Sequence, residues 1–147
     1  MSQWCNFRQL LGRHQLRPTT LRLRVLEILG AAPQALPVQK ILALIRTERS
    51  VNKVTIYRIL GDFCNLGIIR KINPEGRSTF YELACEHHPP HPHFQCRRCG
   101  EVQCLESISL DHLCEELKEV LGPGALRVEI RVEGICPKCQ ALTPKKV

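Results

Sequence analysis

The densest group of potential metal ligands lies in residues 85–104, CEHHPPHPHFQCRRCGEVQC, which contain four cysteines and four histidines. This segment holds one Cys-x-x-Cys pair, and a second pair, CPKC, lies near the end of the chain. Four thiolates in two such pairs are typical ligands of a closed, tetrahedral structural zinc site, which we predict here. The predicted ligands are Cys96, Cys99, Cys136 and Cys139. The alternative is four free or redox-active cysteines.

A second set of soft donors remains in the same segment. His91 and His93 alternate along the chain, so in an extended strand their side chains face the same side. Cys85 ends the β-prone run before them, and Cys104 ends the one after them. Two thiolates and two imidazoles favour zinc over manganese or magnesium, so we predict a second metal site at these four residues. Two other histidines of the loop are candidates to replace one ligand: His87 and His88. Solvent-exposed loop histidines are the alternative.

The sequence contains neither of two common motifs of zinc enzymes. There is no HExxH motif and no HxE followed by PCxxC, which zinc proteases and deaminases use. Catalytic zinc keeps an open coordination position beside a general base, and neither predicted site shows that pattern. The other cysteines, Cys5, Cys64 and Cys114, lie in or near helical patterns and are not assigned to a metal. We expect no catalytic residues and no small-molecule substrate.

Length and composition point to the cell interior. The 147 residues fit one ordinary domain or two small ones. Arg8 and Arg13 interrupt the apolar residues near the start, where a secretory signal needs an apolar core. No run approaches the roughly 18 apolar residues of a membrane span. Without a signal peptide, nine cysteines favour metal binding over disulfides, so we expect a cytoplasmic protein with no membrane partner.

The formal charge of +7 is unevenly distributed. Residues 1–83 contain 13 Lys and Arg against 5 Asp and Glu, whereas residues 84–147 contain 8 against 9. A basic first part beside a nearly neutral second part indicates that the first part meets a polyanion such as DNA. A solvated basic face is the alternative. The same division suggests two domains, 1–83 and 84–147.

The first domain is predicted to contain three helices and a hairpin. Leu21, Val25 and Ile28 recur at helical spacing in the first helix, with Thr20 as the candidate cap. Two β-prone runs later flank NPEG, which suits a tight turn. This order of elements predicts a winged helix-turn-helix domain, with Arg70, Lys71 and Arg77 on the wing placed for phosphate contacts.

The third helix, within SVNKVTIYRILGDFCNLG, has the pattern of a DNA-recognition helix. Ile56 and other apolar residues share one face, while Tyr57 and Arg58 lie opposite, flanked by Lys53. An outward Tyr-Arg pair on the last of three short helices suits the major groove of DNA. A solvent face that happens to carry an arginine is the alternative.

The second domain is predicted as a small α/β unit. HFQC and EVQC are strand candidates, and a helical pattern ends at Gly122. In LRVEIRVEG apolar and charged residues alternate strictly, which predicts a half-buried strand with Val132 among the inward residues. Such a small unit has few ways to close its core alone, so we expect a symmetric homodimer. The predicted fold is therefore α+β, a winged helix followed by a zinc-stapled dimerisation domain.

In combination these motifs resemble the ferric uptake regulator family. The pattern TxYRxL is present as Thr55 to Leu60, followed by the His-rich segment, CxxCG and a closing CxxC. The resemblance covers the chain from about Leu10 to Cys139. It implies a dimeric, metal-dependent repressor that binds an inverted-repeat operator in double-stranded DNA and is not an enzyme. It also implies one structural and one regulatory zinc per chain.

Residue by residue, the resemblance assigns the two Cys-x-x-Cys pairs to the family's structural zinc site and His91 and His93 to its sensor site. Cys104 falls where iron- and peroxide-sensing members usually carry Asp or Glu, and Cys85 matches a cysteine of zinc sensors. The closest subgroup is therefore the zinc uptake regulators. The implied DNA contacts, with those predicted above, are Arg17, Lys53, Thr55, Tyr57, Arg58 and Arg77.

Departures from the family pattern leave alternatives open. Arg70 stands where some zinc sensors have a hinge ligand, and an arginine cannot serve as one. The positions of an optional third site hold Pro90, Pro92 and Val128, which lack ligating side chains. A regulator of metal uptake genes that responds to zinc is the main hypothesis. The alternatives are a peroxide- or iron-responsive member of the same family, a structural zinc protein or a zinc enzyme.

Overall fold

The chain forms two compact units, Met1–Pro89 and Pro90–Val147, and the computed structural model describes residues 5–73, 79–124 and 128–142 of them. The predicted α+β class is confirmed, because helices and small sheets occur in both units. The domain boundary after residue 83 stays a prediction. Among the described residues, no helix is both long and apolar enough to span a membrane.

The first unit combines helices with an antiparallel sheet, as expected for a winged helix. Its helices are α1 (Phe7–Arg13), α2 (Thr20–Ala31), α3 (Val38–Arg46) and α4 (Lys53–Asn65). Its strands are β1 (Leu36–Pro37), β2 (Ile69–Ile72) and β3 (Phe80–Leu83), in the order β1-β3-β2. The short helix α1 is an addition to the three predicted helices. Residues 74–78, which include Arg77 of the predicted wing, lie outside the described residues.

Side-chain caps determine where the helices begin. Thr19, rather than the predicted Thr20, caps α2, because its hydroxyl accepts the Arg22 N–H at 3.3 Å. Asn52 caps α4, and its side-chain oxygen accepts the Val54 N–H at 2.9 Å. After α4, Gly67 has φ of 73°, a left-handed conformation that glycine adopts without steric cost.

One apolar core holds the first unit together. Ile56, Leu60 and Phe63 of α4 are almost fully buried in it, together with residues of α2 and α3. Leu11 of α1 is fully buried in the same core, and Tyr81 of β3 is also buried there. Because the inner face of α4 is fixed by this packing, its opposite face necessarily points outward.

The second unit is a three-stranded sheet with two helices. Its strands are β4 (His93–Cys96), β5 (Val102–Cys104) and β6 (Arg131–Gly134), in the order β5-β4-β6. Its helices are α5 (Asp111–Leu121) and α6 (Pro137–Ala141), and a 3-10 turn follows α5 at Gly122–Gly124. The strands predicted in HFQC and EVQC and the helix ending at Gly122 are confirmed.

The predicted alternating strand differs from expectation. Among the described residues of that segment, only Arg131–Gly134 is strand, and Leu126 lies outside the described residues. Val132, expected to point inward, is 44% exposed. β6 pairs with β4 through its backbone, and this pairing does not cover the face of the strand that carries Val132. On α5, Val120 is 80% and Leu121 62% exposed, so this unit displays apolar side chains that a single chain leaves uncovered.

Candidate nucleic-acid interface and metal centres

The outward face of α4 carries the predicted recognition residues. Thr55, Tyr57 and Arg58 are all exposed, whereas Ile56 and Ile59 between and after them are buried. The helix therefore presents its polar and aromatic side chains away from the core, as predicted. A capped, well-packed helix with such a face has the shape and chemistry to enter a DNA major groove.

At the start of α4, Lys53 and Tyr57 form a cation-π contact. The Lys53 ammonium lies 5.6 Å from the centre of the Tyr57 ring, within the usual range of about 6 Å. At an exposed site such a contact contributes about 0.5–1 kcal/mol. It limits the orientations of both side chains on the surface that we predict to contact DNA.

Basic side chains flank this helix in the sequence and on the wing strand. Arg17 is exposed just before α2, and its carbonyl oxygen accepts a hydrogen bond from the Arg22 guanidinium at 3.1 Å. Lys71 is exposed on β2. These positions suit contacts with phosphates, which orient a protein on DNA without reading its sequence. The DNA contacts of these residues stay predictions.

The four cysteines of the predicted structural site come together in the second unit. Each contributes a sulfur atom, and all four sulfurs lie within 4.8 Å of one another. The Cys99 and Cys136 sulfurs are 3.8 Å apart. In a regular tetrahedron with Zn–S bonds of about 2.3 Å, two sulfurs are separated by about 3.8 Å. The donor set and its spacing therefore fit a zinc ion.

Sheet pairing, one tight turn and the start of α6 build this centre. Cys96 ends β4, and the Gly100 N–H donates to the Cys96 carbonyl at 2.8 Å, which folds Cys99 back toward Cys96. Parallel pairing sets Cys96 opposite Gly134 of β6, two residues before Cys136. The CxxC spacing alone could not reveal this pairing, because the two strands are far apart in the sequence.

The surroundings shift the pKa values of two of these thiols in opposite directions. N–H groups of Cys136 and Cys99 donate to the Cys96 sulfur at 3.3 and 3.5 Å, and they lower the pKa of Cys96 to about 5. Burial and hydrogen bonds with the neighbouring thiols, Cys136 first, raise the pKa of Cys139 to about 12. Metal binding must therefore displace the proton of Cys139, as is usual when thiols become ligands.

Three of the four predicted sensor ligands also meet in the second unit. His93 on β4 lies directly opposite Cys104 on β5 in an antiparallel pair, so both side chains point to the same face. The His91 and His93 rings are 4.6 Å apart, centre to centre, and both histidines are buried. The donor atoms of His91, His93 and Cys104 lie within 4.8 Å of one another. Two imidazoles and one thiolate are soft donors that suit zinc.

The fourth predicted sensor ligand, Cys85, has neighbours of its own in the first unit. Its sulfur lies 3.2 Å from the Cys5 sulfur and 3.1 Å from His88 Nδ1. Burial, followed by the hydrogen bond with Cys5, raises the pKa of Cys85 to about 11. Sequence reasoning did not assign Cys5 to a site, and no local spacing links it to a residue 80 positions away. The role of Cys85 in the sensor stays a prediction.

Arg70, predicted above to contact a phosphate from the wing, instead has a structural role in the first unit, where its side chain is only 19% exposed. Its Nε donates to the Glu82 carboxylate at 2.9 Å, and both side chains are largely buried. Its Nη2 donates to the carbonyl oxygens of Leu83 and His88 at 3.0 and 2.7 Å. The guanidinium therefore fastens β2 to the segment that follows β3.

Comparison with known proteins supports the resemblance. Residues 13–132 match the model of the ferric uptake regulator family. The ferric uptake regulation protein of Legionella pneumophila is 30% identical over 133 residues, which cover 85% of this chain and 92% of that protein.

Solved structures show the same fold in proteins with different signals. The Campylobacter jejuni peroxide stress regulator is 25% identical, with a TM-score of 0.70, over 92% of this chain and all of its own. A zinc uptake regulator complexed with zinc and DNA is 26% identical, with a TM-score of 0.58, over 92% of this chain and 91% of its own.

Proposed function

The chain belongs to the ferric uptake regulator family, and from this premise we propose that it is a zinc-responsive repressor of metal uptake genes. Members of the family are DNA-binding regulators rather than enzymes. At that coarser level the chain is a metal-responsive transcriptional regulator. The finer proposal concerns which signal it senses and which residues sense it.

The observation that favours zinc is the sulfur of Cys104 beside two buried histidines. His93 and Cys104 face each other across neighbouring strands, and His91 completes a set of three donors. Iron(II) and manganese sites favour oxygen and nitrogen ligands, whereas a thiolate with imidazoles suits zinc. We therefore base the sensor on these three residues. Cys85 remains the fourth ligand predicted from the sequence.

A bound metal regulates DNA binding only if it favours one arrangement of the protein over others. Zinc at the sensor forms all of its bonds only in the arrangement that brings its ligands together. DNA binding favours the arrangement that fits the operator. The two events are then coupled, and each strengthens the other by the same factor. A switch from 1% to 99% of the active arrangement requires a preference of about 10⁴-fold.

A homodimer provides the second half of the DNA-binding surface. The apolar side chains exposed on α5 and on β6, including Val120 and Val132, offer a surface for a second copy. A two-fold dimer presents two copies of α4, so its operator is an inverted repeat. In each half-site Tyr57 and Arg58 would face the bases, while Arg17, Lys53 and the wing would face phosphates.

The experiment compares operator binding by wild type, Cys104→Ser and Cys114→Ser in buffers of defined free zinc, iron(II) or manganese. Cys114 is a matched control, because it is a partly buried cysteine of the same unit outside both clusters. We expect zinc to activate wild type and Cys114→Ser, whereas Cys104→Ser requires at least tenfold more free zinc. Activation of wild type by iron(II) or manganese but not zinc would contradict the proposal.

A further inference from the structure

Three soft donors of the first unit form a cluster separate from the four-cysteine centre and from the donors on β4 and β5. They come from the start of the chain and from the segment after β3. We propose that Cys5, Cys85 and His88 form an additional binding site for a thiophilic metal ion, and that this ion is zinc. All three donor atoms lie within 4.8 Å of one another.

The distances between these donors are close to those of a zinc site. The Cys85 sulfur lies 3.1 Å and the Cys5 sulfur 3.9 Å from His88 Nδ1. For a tetrahedral zinc with Zn–S of about 2.3 Å and Zn–N of about 2.0 Å, the sulfur–nitrogen separation is about 3.5 Å, between these two values. The two sulfurs, 3.2 Å apart, need to separate by roughly half an ångström to reach the spacing of a tetrahedral site.

The local backbone presents Cys85 and His88 as a paired unit. The His88 N–H donates to the Cys85 carbonyl at 2.7 Å, which closes a turn and brings the imidazole beside the sulfur three residues earlier. Arg70 holds this turn from the sheet side, because its guanidinium donates to the His88 carbonyl at 2.7 Å. The donors are thus positioned before any ion arrives, which lowers the entropic cost of binding.

The third donor is held in place by α1. Asn6 caps this helix, since its side chain accepts the Gln9 N–H at 3.1 Å, and Cys5 directly precedes the cap. Leu11, one helical turn and a half further on, is fully buried in the core and anchors α1. Arg13 at the end of α1 contacts the Glu86 carboxylate at 3.6 Å, beside Cys85. An ion here would therefore join α1 to the segment after β3.

A cavity of about 330 Å³ adjoins the cluster and is lined by Cys5, Cys85 and polar side chains including Arg13, His14 and Glu86. It gives an ion a route to the two sulfurs. Three protein ligands leave a tetrahedral ion with one open position, which water or an external thiol can occupy. Such a site exchanges its ion more readily than a closed four-cysteine site. The Cys85 sulfur is also the predicted sensor ligand, so an ion here would withhold it from the sensor.

The test counts zinc ions per full-length chain by native mass spectrometry, after reduction and equilibration with buffered zinc. Cys104→Ser serves as the background, because it removes the proposed sensor and leaves this cluster intact. We expect two zinc ions per chain in Cys104→Ser and one after Cys5→Ser is added. His88→Gln, as an independent second variant, should lose the same ion, whereas Cys64→Ser, a partly buried cysteine of the same unit, should keep both.

Two outcomes would overturn the proposal. One is an unchanged zinc count when Cys5→Ser or His88→Gln is added to the background. The other is a Cys5–Cys85 disulfide in freshly purified protein, detected as the loss of two hydrogens, with no ion bound after reduction. The sensor proposal fails separately, if the same free zinc concentration activates operator binding by Cys104→Ser and by wild type. The two ideas are thus tested by different comparisons in one set of samples.

Discussion

Replacing Arg58 by alanine should weaken binding to the operator far more than binding to unrelated DNA. Arg58 is exposed on α4, while the adjacent positions Ile56 and Ile59 are buried and hold the helix. Truncation should therefore remove the proposed DNA contact and leave the fold unchanged. A bidentate arginine–guanine contact contributes about 1–3 kcal/mol of discrimination, which corresponds to a loss of roughly 5- to 150-fold in operator affinity.

The assay is fluorescence anisotropy with zinc-saturated protein, at several salt concentrations. It uses an operator duplex selected from a random pool and a scrambled duplex of the same length. Lys71→Ala on β2 is the comparison variant, because its side chain is exposed and suited to a phosphate. We expect it to weaken both duplexes alike and to reduce the salt slope by about 0.9 per lost contact. An equal loss on both duplexes for Arg58→Ala would refute its assignment as a base-reading residue.

Three further predictions concern stability. Asn52→Ala removes the acceptor for the Val54 N–H and should lower the free energy of unfolding by about 1 kcal/mol in urea titrations. Arg70→Met removes the ion pair between Arg70 and the Glu82 carboxylate, whose side chain is only 9% exposed, and should lower the free energy of unfolding by about 3–5 kcal/mol in the same titrations. Cys96→Ser should unfold the second unit, and so should removal of zinc by a strong chelator under reducing conditions. The reason is that the binding free energy of a structural zinc ion supplies much of the free energy of folding. Circular dichroism would detect the unfolding.

Each stability prediction has a control and a contrary result. Asn65→Ala, at the exposed C-terminal end of α4, should change the free energy of unfolding by less than Asn52→Ala, and equal effects would count against the cap. If Arg70→Met and the double variant with Glu82→Gln were equally unstable, the negative charge of Glu82 would not be the cause of the lost stability. A second unit that keeps its circular dichroism spectrum without metal would contradict the structural role of the four cysteines.

Local patterns were sufficient to predict helix α4 and its buried face. Asn52, the apolar spacing of Ile56 and Phe63, and Gly67 together define where α4 begins, which face it buries and where it ends. The four-cysteine centre was predictable for a similar reason, because each Cys-x-x-Cys pair is a local turn. How the two pairs meet depends on the parallel pairing of β4 with β6, which only the fold reveals.

Contacts between distant segments escaped prediction. Cys5 meets Cys85 because α1 packs in the core beside the segment after β3, and α1 is too short to show a clear periodicity. Arg70 was predicted to contact a DNA phosphate and was recognised as a residue unable to bind metal, whereas its hydrogen bonds to Leu83 and His88 depend on the β2–β3 pairing. Val132 follows an alternating pattern, but the pattern cannot say whether the cover comes from the same chain or from a second one.

The central claim is that occupation of a second metal site by zinc activates DNA binding. The most direct measurement is wild-type operator affinity across a range of buffered free zinc, with zinc ions per chain counted by native mass spectrometry in the same samples. We predict that operator binding rises as the chain gains a zinc ion beyond the one held by Cys96, Cys99, Cys136 and Cys139. Full operator binding by protein that holds only this structural zinc would contradict the claim.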